Sequence, residues 1–164
     1  MARLLAVILL VVALAGCKGA VPARTDLWAR LNDERHARGL NSLTWNGRLS
    51  DRSASWSKHM AGQGKLSHSN IGNLLGPYDY VGENVGVTTG SSGGMNLGFM
   101  GSTEHRNNML APGFTSAGIG VYCQGSKMWV TVEFARKTSE GAPPTAPGTS
   151  RNPEARPDNG DVIC

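Results

Sequence analysis

Apolar and polar positions first take on a helical period at Thr25. Leu27 and Leu31 fall on one side, with Arg35 or Arg38 extending it; Asp26 supplies a first-turn acid and Gly39 a C-cap. This pattern predicts a helix from Asp26 to Arg38. A second helix is expected after Asn46-Gly47, with Leu49, Ser53, Trp56 and Met60 at helical spacing and an end near Gly62 or Gly64. Trp28, Trp45 and Trp56 are expected to pack where these two helices meet. Residues 66–81 carry no period and are punctuated by Gly72, Gly76 and Pro77, so they read as a long loop, a place where function often sits. Gly82 to Val87 opens a strand, and Thr88 to Gly94 reads as a loop. Met95 to Leu110 reads as helix with a break at Gly101-Ser102, where Ser102 caps the restart and Pro112 stops it. The clearest hairpin follows. Ile119, Val121 and Cys123 alternate with Gly118, Gly120 and Tyr122; Gln124 to Lys127 turns; and Val130, Val132 and Phe134 alternate with Trp129, Thr131 and Glu133. After Lys137 the chain is rich in Pro, Gly, Ser and Thr and cannot form a core of its own.

Leu4 to Leu14 is unbroken apolar sequence behind Arg3, the length of a signal-peptide core and too short to span a bilayer. Leu14-Ala15-Gly16-Cys17 follows at once and resembles a bacterial lipobox, which implies cleavage before Cys17 and lipidation of its thiol; the alternative is an ordinary secretory signal. Residues 18–24 lack periodicity and contain Pro22, so they read as a tether reaching about 25 Å. The expected organisation is a signal peptide at 1–16, a lipidated tether at 17–24, one domain at 25–137 and a tail at 138–164. The protein is then expected to be extracytoplasmic and anchored to the bacterial membrane, or secreted where the lipobox is not used.

Composition agrees with one small domain plus decoration: 164 residues, 40% hydrophobic and 17% charged, with 22 Gly and 8 Pro. The formal charge of +4 comes with no basic run, so no nucleic-acid partner is expected. Removing residues 1–16 deletes Arg3 alone and leaves 15 bases against 12 acids. Export also bears on the thiols. With Cys17 acylated, Cys123 and Cys164 remain as a candidate disulfide, while Cys123 alone also suits a buried free thiol on a strand.

Of the four histidines, His36 and His59 sit late in their helices among polar neighbours and read as surface residues. His68 in Leu66-Ser67-His68-Ser69, Glu83 in Gly82-Glu83-Asn84-Val85 and His105 in the first turn after Ser102 are the candidates for chemistry. Residues 66–126 hold Arg106 as their one base against Asp79, Glu83 and Glu104, a balance that suits a cation better than a phosphate. Two imidazoles and a carboxylate form a reasonable donor set for a divalent ion such as zinc. His105, at a helix N-terminus, would be held neutral by the dipole and so available as a ligand. Each residue also has a structural reading: Glu83 as an acceptor for backbone N–H groups, Asn84 and Asn108 as loop staples.

Six blocks in order carry a resemblance: Asn32-x-x-Arg35 with Gly39-Leu40 and Leu43-Thr44-Trp45; Leu66-Ser67-His68-Ser69; Gly82-Glu83-Asn84-Val85; Ser102-Thr103-Glu104-His105-Arg106-Asn107-Asn108; Gly118-Ile119-Gly120-Val121; and Trp129 to Phe134. Together they are similar to a bacterial member of the CAP superfamily, the cysteine-rich secretory, antigen 5 and pathogenesis-related 1 proteins. The resemblance implies an α+β fold, a three-layer α-β-α sandwich with a small, largely antiparallel sheet and an open cleft. It also implies that two histidines and two glutamates line that cleft and hold zinc or another divalent cation. His68, Glu83 and His105 match three of these positions. The second glutamate has no counterpart, since Val85 to Gly101 contains no acid; Phe99 stands where a Trp is usual, and Glu104 where a Gly is.

The function expected first is a membrane-tethered domain whose metal-capable cleft binds an envelope or exported ligand, a lipid, glycan or peptide, without turnover. The cleft residues would be His68, Glu83, His105, Asn84 and Asn108, with His68, His105 and Glu83 as metal ligands. The enzymatic alternative is a zinc-dependent hydrolase of envelope peptide or glycan with Glu83 or Glu104 as base. The third is a structural envelope protein whose cleft is vestigial.

Overall fold

The computed structural model describes residues 19–140 and 162–164. The apolar segment from Leu4 to Leu14, the lipobox at Cys17 and the tail over 141–161 lie outside the described residues. Helix α1 spans Ala20–His36, starting six residues before the expected Asp26. Pro22 falls in its first turn, where a backbone N–H has no intrahelical partner to lose, so the proline is tolerated. Ala23, Leu27 and Leu31 then bury one side at four-residue spacing. Ala20 to Arg24, expected as tether, are thus the opening turns of the domain's first helix.

Helix α2 spans Gly47–Gln63. The Asn46 side chain caps it by accepting from the Leu49 N–H at 3.2 Å, and Gly64 ends it in the left-handed region at φ 63°. Strand β1 (Thr44–Trp45) precedes it, and a short 3₁₀ turn (Ile71–Leu74) leads to β2 (Tyr78–Thr88), longer than the expected 82–87. The expected break in the next helix is present: α3 spans Ser92–Gly101 and α4 Thr103–Leu110. The Ser102 hydroxyl at the junction donates to the Glu104 carboxylate at 3.1 Å and makes no cap bond to the backbone. Strands β3 (Ser116–Gln124) and β4 (Lys127–Lys137) form the expected hairpin.

The sheet runs β1-β3-β4-β2, with β1 parallel to β3 and the other pairs antiparallel. Alternation along β3 and β4 sends Ile119, Val121, Val130, Val132 and Phe134 to one face, where they meet Leu27 and Leu31 of α1 together with Met95, Phe99 and Met109. The other face is covered by α2. Helices α1 and α2 therefore lie in different layers and do not meet as expected. Trp28 packs edge-on against Trp45 at 5.0 Å, while Trp56 stacks on His59 at 4.6 Å on the α2 side.

Serines and glycines bring α2 against the sheet. Ser50, Ser53 and Ser57 donate to the carbonyls of Ile119, Gly118 and Gly120 at 2.7, 3.2 and 3.0 Å. A Cβ on Gly120 would lie 1.9 Å from the Ala54 nitrogen, so this approach requires glycine. Opposite, buried Arg35 donates to the carbonyls of Asn41, Met109 and Ala111 at 2.9, 2.9 and 3.0 Å, which satisfies the end of α4 and fixes it to α1. Cys123 and Cys164 are disulfide-bonded over a separation of 41 residues, and Val162 exchanges hydrogen bonds with Ser92 at 2.8 and 3.1 Å. The chain terminus is thereby pinned to the start of α3, a closure worth about 4 kcal/mol by loop entropy.

Candidate functional site

Residues of β2 alternate between the two layers. Glu83 and Val85 face α2, where Val85 packs with Met60, Ala61 and Trp129; Asn84 and Gly86 face α3 and α4. Glu83 pairs in register with Glu133 of β4, so two carboxylates stand side by side beneath α2, both buried.

Each carboxylate has one engaged and one unengaged oxygen. Glu83 Oε1 lies 2.8 Å from His68 Nδ1 and accepts from the Ser69 backbone N–H at 2.8 Å. The His68 side chain is 64% exposed and that of Glu83 1%, so a buried acid holds an imidazole at the surface. With Nδ1 donating to the carboxylate, Nε2 is left free to meet a ligand. Glu133 Oε1 accepts from Arg52 Nε at 2.6 Å, and Arg52 Nη2 donates to Ser69 Oγ and the Asn70 carbonyl, both at 2.9 Å. The second oxygens, Glu83 Oε2 and Glu133 Oε2, are buried without a partner among the described residues. Burial raises Glu133 to about 7; Arg52 opposes the rise and the neighbouring Glu83 adds to it.

On the opposite layer, the Asn84 side chain donates to the His105 carbonyl at 2.9 Å, and Asn108 donates to the Glu83 carbonyl at 3.1 Å and to Asn84 Oδ1 at 2.9 Å. Both asparagines thus staple α4 to β2. The His105 ring packs at 5.1 Å on Phe99, and its pKa is lowered by burial and then by His68, with Glu104 opposing. Neutrality of His105 was expected from the helix dipole; burial is its principal cause here.

The family model of the cysteine-rich secretory proteins, CAP, matches residues 28–134. The chain belongs to the CAP family. Solved structures that share the CAP fold include an extracellular protein with an SCP domain from Bacillus anthracis, at 24% identity and TM-score 0.65 over 72% of this chain. This chain covers 41% of the length of that protein. An outer surface protein of Borrelia burgdorferi matches at 11% identity and TM-score 0.65, over 71% of this chain and 93% of the other. NaASP2, solved with Zn2+, matches at 13% identity and TM-score 0.56, over 72% and 81%. At these identities the likeness shows the fold alone. No curated protein matches the sequence. Membership in a secretory family and the disulfide both support an extracytoplasmic location.

Within this CAP domain His68 and Glu83 are hydrogen-bonded, and His105, carried by α4, lies near enough to His68 for the two imidazoles to oppose each other's charge. Among the described residues no three His, Cys, Asp or Glu side chains converge as a metal-holding group. Zinc takes three or four protein donors. Two donors bonded to each other, beside a second carboxylate held by Arg52, do not fit it. Glu104 is exposed, and its carboxylate is held below the usual range by a backbone hydrogen bond, then by Ser102, His105 and Arg106. It engages the start of its own helix.

Two residues of the site escaped the sequence reading, Glu133 and Arg52. Glu133 carried a signal: it is a carboxylate between Val132 and Phe134 in the middle of a strand whose two faces are both covered. Arg52 carried none, because its partner lies 81 residues away.

Proposed function

We propose that this protein is an extracytoplasmic CAP domain, tethered to the membrane through Cys17, that binds an envelope or exported ligand at the cleft beside His68 and does not turn it over. The observation that carries this reading is the exposed imidazole of His68 held on the buried carboxylate of Glu83. A buried acid that fixes a solvent-facing ring costs desolvation free energy, and the return for it is a preorganised contact group. A hydrolase reading asks one of the carboxylates to reach a water or a substrate. The engaged oxygens of Glu83 and Glu133 are taken by His68, Ser69 and Arg52, and the other two are sealed from solvent. Both acids therefore support binding and not general-base chemistry.

The test is recovery of the full-length protein from its native envelope, followed by mass spectrometry of lipids, glycans and peptides that remain with it. A ligand held by the native protein and lost in His68→Ala is the expected result, together with release from the membrane fraction in Cys17→Ser. Equal retention by native and His68→Ala protein would overturn the cleft assignment.

A further inference from the structure

On the α2 side, next to the loop that carries His68, lies a cavity of about 340 Å³ outside the residues the sequence marked. That volume is at the lower end of the range for small-molecule sites. We infer that this cavity is a subsite for an acidic sugar, a saccharide ring bearing a carboxylate; this rests on the extracytoplasmic binding role proposed above and names its ligand class.

The charge of the lining is the first ground. Arg52 lines the cavity and no carboxylate does. Its Nε is committed to Glu133 and its Nη2 to Ser69 and Asn70, while Nη1 has no acceptor among the described residues. An Nη nitrogen carries two N–H donors. Three bonds thus lock the guanidinium in place, and its remaining donors are presented to an anion without further ordering. The neutral polar groups are the second ground. Ser69 Oγ accepts from Arg52, which leaves its own hydrogen to donate, and the amides of Asn70 and Asn73 each offer a donor and an acceptor. These are the groups that sugar hydroxyls and an N-acetyl substituent pair with. The third ground is a rigid ring wall. The Trp56 indole donates to the Ser67 carbonyl at 2.8 Å and is stacked on the His59 ring at 4.6 Å and 22°, so the two rings form a fixed aromatic side to the cavity. No aliphatic side chain lines the cavity, so it lacks the slot that an acyl chain or an apolar peptide side chain would fill.

The probes are N-acetylmuramic acid and N-acetylglucosamine, which share a ring and N-acetyl group and differ in the carboxylate-bearing ether. Calorimetry on the full-length protein in detergent should show the acidic sugar binding about tenfold or more tightly than the neutral one, with a shift of the Trp56 indole resonance. Asn73→Asp, which adds a negative charge to the wall without touching the bonds of Arg52, should weaken the acidic sugar about tenfold and leave thermal unfolding unchanged. Arg52→Gln should also weaken the acidic sugar about tenfold; because Glu133 loses its partner in this variant, its fold is checked by circular dichroism. Equal affinity for the two sugars, no binding of either, or no difference between native and Asn73→Asp protein would overturn the subsite. Should that happen while His68→Ala still releases an envelope ligand, the function proposed above stands and only the acidic-sugar subsite falls.

Discussion

Glu83 and Glu133 face each other across the β2–β4 ladder, and each keeps one buried oxygen without a hydrogen-bond partner among the described residues. Like charges directly opposite on one face of a sheet destabilise it. Arg52 answers one of them, and His68 with the Ser69 N–H answers the other. Protonation of Glu133 relieves the rest, which is why burial and Glu83 together raise its pKa to about 7.

A pH dependence of stability follows. Glu133 holds its proton up to about pH 7 in the folded chain but ionises near 4.5 when unfolded, so the folded state binds the extra proton between those values. Stability then falls as pH rises through this window. Thermal unfolding from pH 5 to pH 8 should show a drop of roughly 7 to 15 °C from this group, about 2.5 kcal/mol, and Glu133→Gln should remove it. An undiminished drop in Glu133→Gln would assign the effect to other groups.

What was legible in the sequence was local. The end of α2 at Gly64, the break between α3 and α4, and the β3–β4 hairpin each follow from a period or a cap within a few residues. The start of α1 was missed because Pro22 reads as a breaker until its place in the first turn is known. Which layer a helix joins is not a local property, so the separation of α1 from α2 could not be read from their apolar faces. The site divides in the same way. His68 and Glu83 were found through the motifs that carry the family resemblance. The Arg52–Glu133 pair appears only when the sheet and α2 are assembled.

The serine–glycine contact between α2 and β3 predicts an asymmetry between two Gly→Ala variants. At Gly120 the new Cβ would sit 1.9 Å from the Ala54 nitrogen, and backbone cannot swing aside as a side chain does. Gly120→Ala should cost about 3 kcal/mol or more. At Gly62, within α2, a Cβ meets nothing within 4 Å, and Ala there should gain about 0.5 to 1 kcal/mol from helix propensity. Urea unfolding midpoints of the two variants decide it; similar values would mean that α2 shifts freely over the sheet.

The asparagine staples should behave as a coupled pair. Asn84 is fully buried, so Asn84→Ala strips the donor from the His105 carbonyl and the acceptor from Asn108, at about 2 to 3 kcal/mol. Asn108→Ala should cost about 1 to 2 kcal/mol. Because the two share a hydrogen bond, the double variant should be less destabilised than the sum by at least about 0.5 kcal/mol. Additive losses in the cycle would show that the two side chains act independently.

Zinc binding tests the cleft from the other side. The family resemblance calls for a donor set in which His68, Glu83 and His105 act together, yet Glu83 Oε1 is already shared between His68 and the Ser69 N–H, and His105 packs on Phe99 with α4. To bind an ion these groups would have to give up the His68–Glu83 contact and the packing of His105 on Phe99. Zinc should therefore bind the native protein no more than about threefold more tightly than it binds the His68→Ala/His105→Ala variant, a gap under about 1 kcal/mol. Competition with a chromogenic chelator at pH 7.5 measures this directly. A native affinity one hundred or more times that of the double variant would mean that the three residues rearrange into a metal site.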